Sequence, residues 1–148
     1  MLVGVSVGGG WLSDPAYASL LTSQFNAITP ENAMKWEIIH PEPERYVFGE
    51  ADVIVEFARQ NGLKVRGHTL VWGNQLPAWM LEGNYTRAEW IEILREHINE
   101  VVGRYRGSRN GQTVIAWDVV NEAVASNGAL FDNFWLQKIG PQYIPLAF

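Results

Sequence analysis

Four apolar runs, each followed by a helix-forming stretch, constrain this 148-residue chain more than any other feature. Leu2 to Val7 reads as a buried strand that ends in Gly8-Gly9-Gly10. Asp14-Pro15 then opens a helix to about Gln24, with an N-cap followed by proline at the first helical position. Phe25 to Thr29 is a second strand, stopped by Pro30. A long polar connection over 30–48 carries Pro30, Pro41 and Pro43, and a loop of that length in a compact domain is usually functional. A helix from about Glu50 to Gln60 has Ala51, Ile54, Val55 and Ala58 as its apolar stripe and ends at Asn61-Gly62. Leu63 to Val71 is the third strand, and 72–85 is the next long loop. Thr86-Arg87-Ala88-Glu89 is a capping box that opens a long helix, with Ile91, Leu94, Ile98, Val101, Val102 and Tyr105 on one face. Thr113 to Val120 is the fourth strand, and the tail from about Asp132 is helical, broken near Gly140-Pro141 and Pro145. Strand-then-helix units in series imply an α/β fold with parallel strands and right-handed crossovers.

Composition narrows the function classes. A net charge of −5 gives no basic patch for nucleic acid or an anionic membrane. Cysteine is absent, which removes disulfides, thiolate-bound zinc and thiol catalysis. No run approaches 18 apolar residues, so no transmembrane helix is expected. The N-terminal MLVGVSVGGGWL lacks a basic n-region and a small-residue cleavage site, and reads as a strand rather than a signal peptide. No GxGxxG or Walker pattern follows a strand, and the three histidines show no ligand spacing, so neither cofactor nor metal is expected. Seven tryptophans stand out. Core packing accounts for Trp11, Trp36, Trp90 and Trp135. Trp72 and Trp79 lie in a loop-like stretch, where flat rings suit the C–H faces of sugars.

Polar groups collect just past successive strands. Glu31, Asn32 and Lys35 follow the second, His68 and Trp72 close the third, and Asn121 and Glu122 end the fourth. Parallel strands would bring them to one rim, where α/β barrels carry their catalytic groups. Glu122 beside Asn121 suits general-acid work on a sugar, the acid protonating a leaving oxygen and the amide holding a neighbouring hydroxyl. Plainer readings stand beside this one. Lys35 and Glu31 make a surface ion pair of little worth. Asn32 caps the turn after Pro30. His68 is a buried histidine satisfied by a backbone carbonyl. Asn121-Glu122 is a polar turn.

Four stretches carry a family resemblance: FNAITPENAMKWE (25–37), VRGHTLVW (65–72), Gln75 with Pro77 and Trp79, and WDVVNEA (117–123). Together and in this order they resemble glycoside hydrolase family 10, the retaining endo-β-1,4-xylanases, over nearly the whole chain. The resemblance implies a (β/α)8 TIM barrel that hydrolyses xylan with retention of configuration and needs no cofactor. It makes Glu122 the general acid/base and Asn121 the partner of the sugar 2-hydroxyl. It places Glu31, Asn32 and Lys35 at glycone sugars, His68 and Trp72 around the reacting sugar, and Gln75 near the cleft. Many members carry histidine after the tryptophan of the second motif, where this chain has Gly73.

A family barrel needs about 250 residues, so residues 1–148 read as a partial catalytic domain: a half-barrel of four β/α units. Retention needs a second carboxylate about 5 Å from the first. In the family this nucleophile comes from a later Thr-Glu-Leu-Asp-like segment, which does not occur here. The resemblance implies xylan or xylo-oligosaccharides as partner and secretion of the intact protein. A half-barrel also implies open edges and an uncovered apolar inner face, hence self-association. The alternative expectation is a half-barrel that binds xylan, or pairs with another chain, without hydrolysis.

Overall fold

A computed structural model describes residues 1–107 and 112–148. Four parallel strands form one sheet in chain order: β1 (Gly4–Val7), β2 (Ala27–Pro30), β3 (Lys64–Gly67) and β4 (Val114–Trp117). Between them run α1 (Pro15–Gln24), α2 (Trp36–Ile39), α3 (Gly49–Gln60), α4 (Ala78–Leu81) and α5 (Arg87–Tyr105); α6 (Phe134–Ile139) and α7 (Tyr143–Leu146) follow β4. The parallel order is the one expected from the alternating pattern, and the four β/α units match the half-barrel that the family resemblance implies. The strands are shorter than their apolar runs. Past β3 and β4 the chains diverge into rim loops, held parallel by one further bridge, Val71 to Val120.

The caps form where the residue types place them. The Asp14 side chain accepts from the backbone N–H groups of Ala16 and Tyr17, with Pro15 at the first helical position. Thr86 and Glu89 complete a reciprocal capping box, satisfying donors that a helix start otherwise leaves unpaired. The helices α2 and α4 lie inside the two connections read as loops. Four residues are too few to show a helical period.

Period-two alternation sorts the sheet into two faces. Val7, Ile28, Val65 and Val114 point to the helices and join the core with Ala51, Ile54, Val55 and Ala58 of α3. Gly67 also lies on that side, and a Cβ there would sit 2.1 Å from the Trp117 ring, so only glycine fits. The opposite face lines an open cavity of about 710 Å³ with Ser6, Thr29, Lys64 and Arg66. The uncovered inner face is therefore mixed, with apolar side chains beside polar ones. Small and charged side chains share it with apolar ones, of which Leu2 and Ile115 are the large exposed ones. Ile115 is the bulged residue of β4: Val65 pairs with Val114, and Arg66 with Ala116.

Of the four tryptophans assigned to the core, Trp36, Trp90 and Trp135 are fully buried, whereas Trp11 is 66% exposed. Beneath the rim, Trp36 stacks on His97, and His97 Nδ1 lies 3.3 Å from His40 Nδ1. Both Nε2 atoms are buried without a hydrogen-bond partner among the described residues. Burial lowers the His40 pKa from 6.5 to about 4. It also holds His97 well below 6.5, with a further push from His40. The folded state keeps both rings neutral where an unfolded chain would protonate them. Stability is therefore complete above about pH 6.5 and falls as pH drops toward 4. Urea melts at pH 7.5 and pH 5.5 should differ by roughly 1 kcal/mol per histidine. Equal stability at the two pH values would show that the pair is not buried neutral.

Candidate active site

The C-terminal ends of the strands carry the predicted polar residues on one continuous rim. Beyond β2, the Lys35 side chain is buried and its Nζ donates to Asn32 Oδ1 (2.9 Å) and Gln75 Oε1 (2.5 Å). Gln75 Nε2 also donates to Asn32 Oδ1 at 3.2 Å. These bonds take the place of the Lys35–Glu31 surface pair that was the plainer alternative. Glu31 is exposed and lines the inner cavity beside Lys35, His68 and Asn121. Asn32 is not simply a turn cap, because its oxygen serves two donors across the rim.

Trp72 links this cluster to the end of β4. Lys35 Nζ stands 4.8 Å from the centre of its ring, and its indole N–H donates to Glu122 Oε2 at 2.8 Å. A cation over an indole face is held by the ring's electron distribution, so one side chain orients a lysine and a glutamate together. Asn121 donates its backbone N–H to Val71 O, which continues the β3–β4 pairing out to the rim.

His68 is not satisfied by a carbonyl. Its Nδ1 lies 2.9 Å from Asp118 Oδ2. The carboxylate can only accept, so the hydrogen sits on Nδ1, which fixes the ring and leaves Nε2 for the cleft. Asp118 also accepts from Arg66 Nε and Nη2. Sequence reasoning did not assign these two residues. The available signal was Arg66, a charged residue inside the apolar run from Leu63 to Val71. The other tryptophan proposed for the rim, Trp79, turns inward and donates its indole N–H to His40 O at 3.0 Å.

Backbone geometry marks the same place. Glu122 and Gln75 hold φ of 52° and 50°. The left-handed region costs a side chain about 1 kcal/mol or more. Such strain persists where surrounding structure imposes it, often at functional sites. Gly73 has a local reason as well. A Cβ there would lie 2.7 Å from the Asn133 Cβ, and Asn133 is buried and caps α6 through Leu136 N–H. The space beside Gly73 is here filled by Asn133. Among the described residues no three His, Asp or Glu side chains converge as a metal site requires.

Asp118→Ala would leave Arg66 and His68 without their shared acceptor. Removing hydrogen bonds to a charged group costs about 1.5–3 kcal/mol. Urea denaturation should show that loss, and the His68 ¹⁵N imidazole shifts should no longer report a hydrogen fixed on Nδ1. Unchanged shifts would mean that another group orients the ring.

Comparison with known proteins agrees with this geometry. The family model described as Glycosyl hydrolase family 10 matches residues 1–148. A β-1,4-xylanase of Dictyoglomus thermophilum is 52% identical over 134 residues, 89% of this chain and 36% of that protein. The native xylanase 10B of Thermotoga maritima superimposes with a TM-score of 0.92 at 44% identity, over 100% of this chain and 45% of that one. Xylanase 10B of Thermotoga petrophila RKU-1, solved in complex with xylobiose, gives 0.91 at 41% identity, again over 100% of this chain and 45% of its own. The chain thus spans less than half the length of these relatives, and over that span it belongs to glycosyl hydrolase family 10.

Proposed function

We propose that this chain is the N-terminal half of a catalytic domain that hydrolyses β-1,4-xylan with retention of configuration. The observation that carries the reading is the bond from Trp72 Nε1 to Glu122 Oε2 on the same rim as the Lys35–Asn32–Gln75 cluster. An acid, an aromatic face and a set of mixed donors and acceptors are what a chain of hydroxylated rings needs.

Glu122 is the general acid/base in this proposal. It protonates the oxygen of the departing sugar, then takes a proton from water as the glycosyl intermediate is hydrolysed. Asn121 bonds the 2-hydroxyl of the reacting sugar. His68, oriented by Asp118, and Trp72 surround that sugar. Lys35, Asn32, Gln75 and Glu31 hold the glycone side. The nucleophile is a second carboxylate, on a segment that supplies the rest of the barrel, and it completes the pair that the covalent route requires. Xylan or xylo-oligosaccharide is the proposed partner. Residues 1–148 form one partial catalytic domain. Association through the edge strands β1 and β4 follows from their unpaired backbone groups.

In a barrel completed by the second half of a family member, Glu122→Ala should cut xylan hydrolysis about 10²–10⁴-fold. Aryl xylosides with good leaving groups should lose less in the first step, and azide should restore turnover. Full xylan hydrolysis by that variant would rule out the role of Glu122.

The 148 residues alone should release no reducing sugar from xylan, because one carboxylate cannot both protonate the leaving group and form the glycosyl intermediate. Robust hydrolysis by the purified chain would overturn the division of the two roles between halves.

A further inference from the structure

Asn84-Tyr85-Thr86 is the only Asn-X-Ser/Thr triplet in the chain, and the xylanase reading gives it no task. The pattern is the acceptor signature for an N-linked glycan, which requires a surface position. Asn84 has one. It is exposed in the irregular turn between α4 and α5, and its side chain makes no hydrogen bond among the described residues. The turn has a fixed base. A Cβ at Gly83 would lie 2.5 Å from Tyr85 Cε2 and 2.6 Å from Trp79 O, and the Tyr85 ring makes T-shaped contacts with Trp79 and Trp90.

A groove of about 380 Å³ begins beside Asn84, lined by Tyr85, Ala88, Glu89, Glu92, Ile93 and Glu96. None of these residues lines the inner cavity or belongs to the rim cluster. Tyr85, Ala88 and Ile93 supply an apolar strip, and three carboxylates border it. Glu89 is bonded to Thr86 and Glu92 to Arg95, whereas Glu96 accepts no hydrogen bond among the described residues. Glu92 and Glu96 are like charges four residues apart on a helix, which repel each other and would repel an anionic occupant. An N-acetylhexosamine is uncharged. Its C–H face and acetyl methyl match the strip, and its hydroxyls and amide N–H donate to carboxylates.

We propose that Asn84 is an N-glycan acceptor when the chain enters a secretory pathway, and that the first N-acetylglucosamine lies along the groove on α5. The donor is an oligosaccharide carried on a lipid diphosphate. Asn84 Nδ2 forms a bond to the anomeric carbon, the bond from that carbon to the diphosphate oxygen breaks, and the amide gives up one proton. The lipid diphosphate leaves with the bonding pair. In the folded chain the Thr86 hydroxyl is committed to the capping box, donating to Glu89 Oε2 at 2.7 Å and accepting from Glu89 N–H at 3.4 Å. The triplet is therefore free to be read before the first turn of α5 closes, and the transfer falls on the emerging chain.

The test is translation of the 148-residue chain behind a cleavable secretory leader, in the presence of microsomes. One loss of mobility, reversed by an N-glycan endoglycosidase, is expected. Asn84→Gln and Thr86→Ala should abolish it, and Thr86→Ser should keep it. This readout does not depend on folding. No shift, or a shift that survives in Asn84→Gln, overturns the acceptor. Seating is read separately. The chain from a secretory host is trimmed to a single N-acetylglucosamine and compared with Asn84→Gln, which should melt with the unglycosylated parent because Asn84 makes no bond. The ¹³C-methyl signals of Ala88 and Ile93 should move in the glycosylated chain. Signals that stay still overturn the groove contact and leave the acceptor in place.

Discussion

The rim is organised around Asp118. Its backbone N–H donates to Gly67 O and its carbonyl accepts from Leu70 N–H and Thr69 Oγ1, which locks the end of β4 to the chain leaving β3. Its carboxylate binds Arg66 and His68 of the neighbouring strand. One residue thus sets the separation of the two strand ends and the orientation of the imidazole between them. Asn121 and Glu122 follow within four residues, so their placement depends on the same lock. A partly buried carboxylate with two cationic or polar partners is costly to expose halfway, which favours a single geometry at the point where the proposed chemistry needs one.

Tryptophan supports this rim from below. Trp36 donates its indole N–H to Leu70 O, and Trp135 donates to Trp72 O. Both acceptors lie on the irregular segment after β3, where the main chain has left the sheet and its carbonyls need other partners. The rings fill the core while their single donors pin the loop above. Trp72 is thereby held from the helix side and offers its own N–H to Glu122. The neutral His40–His97 pair belongs to this aromatic layer, stacked against Trp36 and Tyr46.

The inner face of the sheet departs from the bulky branched filling usual in barrels. Ser6, Thr29, Lys64 and Arg66 face the cavity instead. Charged groups here find partners along the sheet: Lys64 Nζ donates to Gln112 O, and Arg66 to Asp118. A face of this kind has a weaker hydrophobic drive to pair with a second copy than one of valine and leucine would. Any association is therefore left to the backbone groups of β1 and β4 and the apolar side chains of Leu2 and Ile115.

Local signals made much of this legible in the amino-acid order. The Asp14-Pro15 cap, the Thr86–Glu89 capping box and the period of α3 depend on residues within a few positions of each other, so the sequence alone determined them. Parallel pairing then carries the polar ends of three apolar runs to one rim, and the residues of that rim could be named as candidates before their contacts were known. Tertiary structure decided the partners. Lys35 bonds Gln75, 40 residues away, rather than Glu31 nearby. His68 takes Asp118, 50 residues away, rather than a carbonyl. Trp79 turned inward and Trp11 stayed out, although composition does not distinguish them. Sheet register and loop packing choose such pairs, and both arise from burial summed over the whole core. No short stretch of chain carries that sum.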